Sequence, residues 1–382
     1  MSKIGIITIV NVNNYGAELQ AFALQHKLSQ MGHQAEIINY AFGINKEHDF
    51  TGEKPTIPIP LITKIKRKIQ SLIEHTIDSL YPNVQKIRKQ KFIEFHKKYN
   101  KLTPKLYRSV KSLYDGSLDY DIYCVGSDQV WNYTNGYSIL PFLLDFVSED
   151  KKKIAFASSI GLSTISTEAK DVFKQYLSKF DSIAVRENQA SDLLNSILGK
   201  KVDVVLDPTL LLYKEDWQHV AKYEMCPKEK YLLLYIVTIK PCRYAIELAE
   251  KIATEKKLKI VRLFRSAASY DSKPSMINLP YAGPSDFIGL IEKADFVITN
   301  SFHGTVFSVN FHIPFYSIIK PGKDNNSRLQ SILNKLKMTD RLITIGDKLP
   351  SSNMWDCNFD GPTLDLETER TKSIKILSDY IQ

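Results

Sequence analysis

The run Ile4-Gly5-Ile6-Ile7-Thr8-Ile9-Val10, with the polar segment Asn11-Val12-Asn13-Asn14-Tyr15-Gly16 behind it, decides how the rest of the chain is read. Its first part is apolar and β-prone throughout, the pattern of a strand covered on both faces in a parallel sheet. From Ala17 onward Ala21, Leu24, Leu28 and Met31 recur at helical spacing, and Gly32 stands where a C-terminal cap belongs. Residues 35–40 then read as a second strand. Strand, loop, helix and strand make a βαβ unit. Its polar loop leaves the carboxyl end of the first strand, where open α/β sheets bind ligands.

Downstream, residues 41–62 are rich in Pro, Gly and polar groups and read as an excursion from the sheet, and 63–113 is basic and largely helical. The sheet pattern resumes at 121–125, 154–157, 182–186 and 202–206, with helices between. A second series opens with a strand at 231–237 and continues through a helix at 243–256, a strand at 258–264 and a helix at 285–293. A strand at 295–299, a helix from 304 and a strand at 314–319 complete it. Asp360-Gly361-Pro362 breaks the chain before a last helix, 363–382. Two successive alternating series predict an α/β fold of two Rossmann-like domains facing across a cleft.

Composition sets the class. A chain of 382 residues with 43% hydrophobic and 24% charged residues is an ordinary globular protein with material for two cores. Disordered, fibrous and disulfide-stapled classes are excluded. Cys124, Cys226, Cys242 and Cys357 stand far apart, with no CxxC pair and no His at ligand spacing, so reduced thiols and no metal are expected. No apolar stretch approaches the length of a membrane span, and a cytoplasmic protein is expected.

The net charge of +9 is uneven: between Lys64 and Lys111 fourteen Lys or Arg face three acids, Glu74, Asp78 and Glu94. That excess of eleven leaves about two net negative charges on the rest. The segment lacks the patterning of a nucleic-acid reader, so no nucleic acid is expected as a partner. It suits either a solvated helical face or peripheral contact with an anionic membrane at the inner face of the plasma membrane.

Three polar clusters follow strands. In Asn13-Asn14-Tyr15-Gly16 the glycine permits close approach and the helix start offers N–H groups to an anion; a tight βα turn accounts for the same residues. There are too few glycines for a dinucleotide fingerprint and no P-loop lysine. Gly126-Ser127-Asp128-Gln129-Val130-Trp131-Asn132 combines donors, a carboxylate and an indole, which suits a hydroxyl-rich ligand, with Asp128 as base toward a sugar hydroxyl. A helix N-cap at Ser127 or Asp128 is the structural alternative. Thr299-Asn300-Ser301-Phe302-His303-Gly304 places His303 at a helix N-terminus suited to an anion, whereas His312 reads as core. Arg186, ending a strand before Glu187, and Arg328, in Asn325-Asn326-Ser327-Arg328, are candidates for binding a phosphate or carboxylate, or for surface ion pairs.

Taken in order, Asn14-Tyr15-Gly16-Ala17 with Leu19-Gln20, Val125 to Asn132, Val185-Arg186-Glu187, Leu206-Asp207-Pro208-Thr209, Asn300-Ser301-Phe302-His303-Gly304 and Asn326-Ser327-Arg328 resemble the polysaccharide pyruvyl transferase family, over about residues 3–345. The resemblance implies a GT-B-like arrangement with the active site in the interdomain cleft. Residues 1–215 would form an acceptor-binding domain carrying the basic insertion at about 63–113. Residues 216–350 would bind the donor, and 351–382 would be a tail and helix returning to the first domain.

It also implies the activity: transfer of the pyruvyl group of phosphoenolpyruvate to a sugar of a polysaccharide or lipid-linked glycan precursor, with no cofactor. His303 and Asp128 are then the expected catalytic residues. Arg328, Arg186, Ser301, Phe302, Gly304 and Asn326 are expected at the donor, and Asn14, Tyr15, Gly16, Ser127, Gln129 and Trp131 at the acceptor. Where family members carry an Arg-Leu-His motif this chain has Ser301-Phe302-His303, so Arg328 or Arg186 must supply the cationic contact. A GT-B glycosyltransferase using a nucleotide sugar and a non-catalytic membrane-associated scaffold of glycan assembly are the competing readings.

Overall fold

The computed structural model describes residues 1–41, 61–135, 138–237, 242–263, 273–322 and 326–382, and along 61–80 the side chains at 61, 62, 65, 68, 69, 72, 73, 76, 79 and 80. The excursion expected at 41–62 falls almost wholly outside these limits. The chain forms two compact units. The first comprises Met1–Arg67, His96–Leu211 and Thr368–Gln382, the second Lys68–Phe95 and Leu212–Glu367. The middle of the basic insertion therefore belongs with the second unit, and three of the four passages of the chain between units fall inside helices.

In chain order the first half holds β1 (Lys3–Ile7), α1 (Tyr15–Gln30), β2 (Gln34–Ile37), α2 (Leu61–Leu80), α3 (Pro82–Tyr99), α4 (Val110–Tyr114), β3 (Ile122–Val125), β4 (Lys152–Ser158), α5 (Thr167–Leu177), β5 (Ser182–Val185), α6 (Asn188–Leu198) and β6 (Asp203–Val204). The six strands form one parallel sheet in the order β2-β1-β3-β4-β5-β6. β1 is the pivot, with Ile4 opposite Ala35 on one side and Ile122 on the other. β1 stops at Ile7, short of the apolar run's end, because Thr8 turns to other work: its hydroxyl donates to the Ser127 carbonyl at 2.8 Å and accepts from Gln20 at 2.9 Å. Asn14 then caps α1, accepting from the Gly16 amide at 3.0 Å.

The second half holds α7 (Lys214–Gln218), β7 (Tyr231–Tyr235), α8 (Arg243–Lys256), β8 (Lys259–Leu263), β9 (Met276–Leu279), α9 (Pro284–Glu292), β10 (Phe296–Thr299), α10 (Phe302–Asn310), β11 (Phe315–Ile319), α11 (Asn326–Lys335), β12 (Leu342–Thr344) and α12 (Asp360–Ile381). The sheet order is β12-β11-β10-β7-β8-β9, again parallel throughout. The two edge strands, β9 and β12, have no counterpart in the sequence pattern. Their burial is mixed, with an exposed residue inside β9 and half-buried ends on β12, so neither needs a continuous apolar run.

Each unit has its own core, with helices packed on the sheet. In the second, Trp217 meets Phe307 edge-on at 4.8 Å. The last turns of α12 close on the first unit's sheet, Tyr380 donating to the Ile183 carbonyl and to Asp203, both at 2.9 Å.

Gly289 in α9 shows how closely the second unit is packed, since a Cβ there would collide with the Lys222 carbonyl oxygen. Helix propensity alone favours Gly→Ala by about 1 kcal/mol. The collision is with backbone and cannot be relieved by a rotamer change, so Gly289→Ala is expected to destabilise by about 1–3 kcal/mol. A urea-denaturation midpoint at or above wild type would contradict the packing.

Candidate active site

The two sheet orders locate a site in each unit before any side chain is considered. In the first sheet the order reverses between β1 and β3, in the second between β7 and β10. Ligands of open α/β sheets bind outside the carboxyl ends of the strands at such switch points. The loop after β3 carries Gly126, Ser127 and Asp128, and the turn after β10 carries Asn300, Ser301, Phe302 and His303.

In the first unit the C-terminal edge is organised by Arg186, whose side chain is only 1% exposed. Its Nη1 donates to Asp207 Oδ2 at 2.9 Å and to Ser127 Oγ at 3.3 Å, and its Nη2 donates to Asp128 Oδ1 at 3.4 Å. Its Nε lies 3.8 Å from Glu187 Oε2. Burial by itself lowers the guanidinium's pKa, but Asp207, Asp128 and Glu187 outweigh it and hold the group above its ordinary value. The cluster of one cation and three carboxylates is net negative.

Two of the carboxylates are sealed. Asp207 accepts from Ser127 Oγ at 2.8 Å and from the Thr209 amide and hydroxyl, and Glu187 accepts from Ser159 Oγ at 2.6 Å. Asp128 alone reaches the surface, its side chain 13% exposed. Its backbone is left-handed, φ 76°, a conformation costing on the order of 1 kcal/mol for a non-glycine residue. The Asp128 carbonyl accepts from the Val130 amide at 2.8 Å and the Ser159 amide at 3.0 Å, which holds it there. Gly161, φ 64°, lies so close that a Cβ would meet Gln129 Oε1 at 2.5 Å.

This arrangement revises several expectations. Arg186, expected at the donor, is buried and paired with three acids, and its contact with Asp128 ties that carboxylate to the cluster. Trp131 is 0% exposed and donates its indole N–H to the Phe142 carbonyl at 2.8 Å, so it offers no face for a sugar to stack on. Tyr15 and Gly16 are buried in the first turn of α1, and Ser127 is buried against Asp207. Gln129 is half-buried and accepts from Asn132 at 2.8 Å, while Asn14 is exposed at the mouth of β1. His312, read as core, is exposed, stacked on Phe359 with Nε2 3.1 Å from the Thr363 hydroxyl.

The second unit builds its turn from hydroxyls. Thr299 Oγ1 donates to the Tyr235 carbonyl at 2.7 Å and accepts from the Ser301 amide at 3.0 Å, tying β10 to β7 across the switch point. Asn300 accepts from the Val237 amide at 2.8 Å. Ser301 caps α10, and Gly304 lets the helix approach, since a Cβ there would meet Thr299 Oγ1 at 2.6 Å. His303 in the first turn packs edge-on to Phe302 at 5.3 Å, and Arg328 from α11 lies over the same ring, 5.8 Å from its centroid. Phe302 thus brings together an imidazole and a guanidinium 25 residues apart, at the positive end of a helix. Asn326 donates to the Lys320 carbonyl at 2.7 Å and fixes the start of α11.

Sequence reasoning takes Asp207-Pro208-Thr209 as the switch into the interdomain connection with no catalytic role, and gives no sign that Asp207 pairs with Arg186. It also missed the buried pair His96 Nδ1–Glu18 Oε2, 2.8 Å apart, which joins residues 78 positions distant with no motif to announce them. No group of three or more His, Cys, Asp or Glu suited to a metal occurs among the described residues.

A family model described as polysaccharide pyruvyl transferase matches residues 14–319. The chain belongs to that family. No curated protein sequence matches it. Among solved structures, a protein of Listeria monocytogenes described as a UDP-N-acetylglucosamine 2-epimerase is similar with a TM-score of 0.53 and 11% identity, over 98% of this chain and 90% of that one. MnaA of S. aureus with UDP gives 0.49 at 12% identity, over 98% and 91%. The UDP-GlcNAc 2-epimerase of Neisseria meningitidis gives 0.48 at 8%, over 100% and 99%. At these identities the first likeness carries fold alone: this pyruvyl transferase family member has a two-domain α/β fold of the GT-B-like kind.

Removing Arg186 from the cluster strands three carboxylates. Arg186→Met is expected to cost about 3–5 kcal/mol in urea denaturation, the range for breaking a buried ion pair from one side. Adding Asp207→Asn should recover part of the loss. A single variant within about 1 kcal/mol of wild type would show that Arg186 does not hold this edge together.

Proposed function

We propose that this pyruvyl transferase family member uses phosphoenolpyruvate as donor and closes a pyruvate ketal across two hydroxyls of a sugar in a polysaccharide or lipid-linked glycan precursor. The family match over 14–319 carries the reading, and the chemistry of the two switch points supports it. Phosphoenolpyruvate is a small anion with phosphate and carboxylate to be held. Arg328 and His303 around Phe302 provide cationic and N–H donors for it. Asp128, the one reachable carboxylate of a net-negative cluster, suits removal of a proton from a neutral sugar hydroxyl.

In the proposed sequence the first hydroxyl oxygen bonds to C2 of the donor as its proton passes to Asp128. A proton is delivered to the methylene carbon, which becomes the ketal methyl. His303 is the phosphate ligand or the acid for that step. The second hydroxyl then attacks C2, the bond from C2 to the phosphate oxygen breaks, and inorganic phosphate leaves with the remaining proton. Asn14 and Gln129 sit at the mouths of β1 and β3 as acceptor contacts. The reaction needs no cofactor. The basic segment 63–113 would hold the enzyme at an anionic membrane on the cytoplasmic face, where lipid-linked acceptors are presented.

With phosphoenolpyruvate and a panel of saccharides, inorganic phosphate release is expected from wild type. A general acid or base contributes typically 10²–10⁴-fold, so His303→Ala and Asp128→Asn should each lose at least about two decades of kcat with circular dichroism unchanged. Turnover close to wild type in either variant would remove that residue from the chemistry. Release of a nucleoside diphosphate from a nucleotide sugar, with no phosphate from phosphoenolpyruvate, would favour the glycosyltransferase reading.

A further inference from the structure

α2 exposes the apolar residues that a helix of a globular unit buries. Helices of a globular unit turn their apolar stripe inward, as α1 does, with Ala17, Leu24 and Leu28 fully buried. Along α2 every described side chain is exposed. Leu61, Ile62, Ile65, Ile69, Leu72, Ile73 and Leu80 are between 43% and 71% exposed, and Tyr81 continues the surface beyond the helix end. At about 100° per residue these seven positions fall within an arc of roughly 120°, shared with Thr76 and Ser79. The apolar residues run from Leu61 to Ile73 and resume at Leu80, along a helix about 30 Å long.

The sequence between these residues carries Lys64, Lys66, Arg67 and Lys68 in the first two turns, with no acid before Glu74, and Lys68 is exposed beside the apolar arc. A wide apolar face combined with a basic polar face and low net hydrophobicity is the composition of a helix that lies in a membrane interface. No helix among the described residues is long and apolar enough to cross a membrane, so an inserted α2 would lie flat. A helix paired with a second copy of itself needs a seam of about two positions per heptad, narrower than the arc here.

We propose that α2 is an in-plane anchor whose apolar arc inserts among the acyl chains of an anionic bilayer while Lys68 beside it meets the headgroups. This rests on the membrane contact offered above for residues 63–113 and changes its nature. Charge alone would hold the protein loosely and release it in salt, whereas an inserted face holds in part after the charges are screened. The basic charge of the segment supplies selection for anionic lipid and the apolar arc supplies retention.

The test is flotation of the full chain with vesicles of phosphatidylcholine alone or with about 30% phosphatidylglycerol, at low salt and at about 0.5 M salt. Wild type is expected to float with the anionic vesicles and to keep a measurable bound fraction in high salt. Ile65→Glu combined with Leu72→Glu should weaken partitioning at least about tenfold with an unchanged urea midpoint. The native indoles, Trp131, Trp217 and Trp355, are buried, so in Leu72→Trp a gain of quenching by brominated phospholipid reports insertion directly.

Binding fully reversed by salt, indifferent to the glutamates and without quenching would overturn insertion and leave the charge contact standing. No binding to anionic vesicles would overturn both. A dimer in sedimentation velocity that the glutamates convert to monomer would assign the face to a second copy and overturn the anchor.

Discussion

A single guanidinium organises the first unit. Arg186 ends β5, Asp128 and Ser127 follow β3, Asp207 follows β6, and Glu187 reaches back to Ser159 after β4. Four strand ends are therefore held in register by one buried charge and the acids around it. Such an arrangement depends most on its one cation, because removing Arg186 leaves the acids around it buried without compensation. The cluster holds Asp128 in a left-handed conformation, with its carboxylate as the one acid of the three that reaches solvent.

The second unit solves the same topological problem with the opposite electrostatics. Its switch point is tied by hydroxyls and an amide, Thr299, Ser301 and Asn300, and His303 and Arg328 gather around Phe302 beside it. An edge that presents a carboxylate suits a neutral polyol, and an edge that presents Arg328, His303 and a helix N-terminus suits a small polyanion.

Much of this was legible in the sequence, and the gaps have physical causes. Long apolar strands such as β7 and helices with clear periodicity such as α8, found at 243–256 as read, announce themselves because both faces or one full stripe must be buried. β9 and β12 do not, since their burial is broken by exposed or half-buried residues. The clusters at Ser127-Asp128, Arg186 and Ser301-His303 were visible as polar residues just past strands. Their roles were not, because burial decides them: Trp131 reads as a stacking platform until it is found in the core, and Arg186 as an anion ligand until its three acids are counted. Pairing of Arg328 with Phe302 depends on α11 returning to α10, which no local pattern encodes.

The most direct test is calorimetric titration of phosphoenolpyruvate into wild type, His303→Ala and Arg328→Ala. A charge-assisted contact is worth about 1.5–3 kcal/mol, so each variant should bind at least about tenfold more weakly than wild type while remaining folded. Wild-type affinity in both variants, or no binding to the folded wild-type protein, would contradict a donor site at the start of α10.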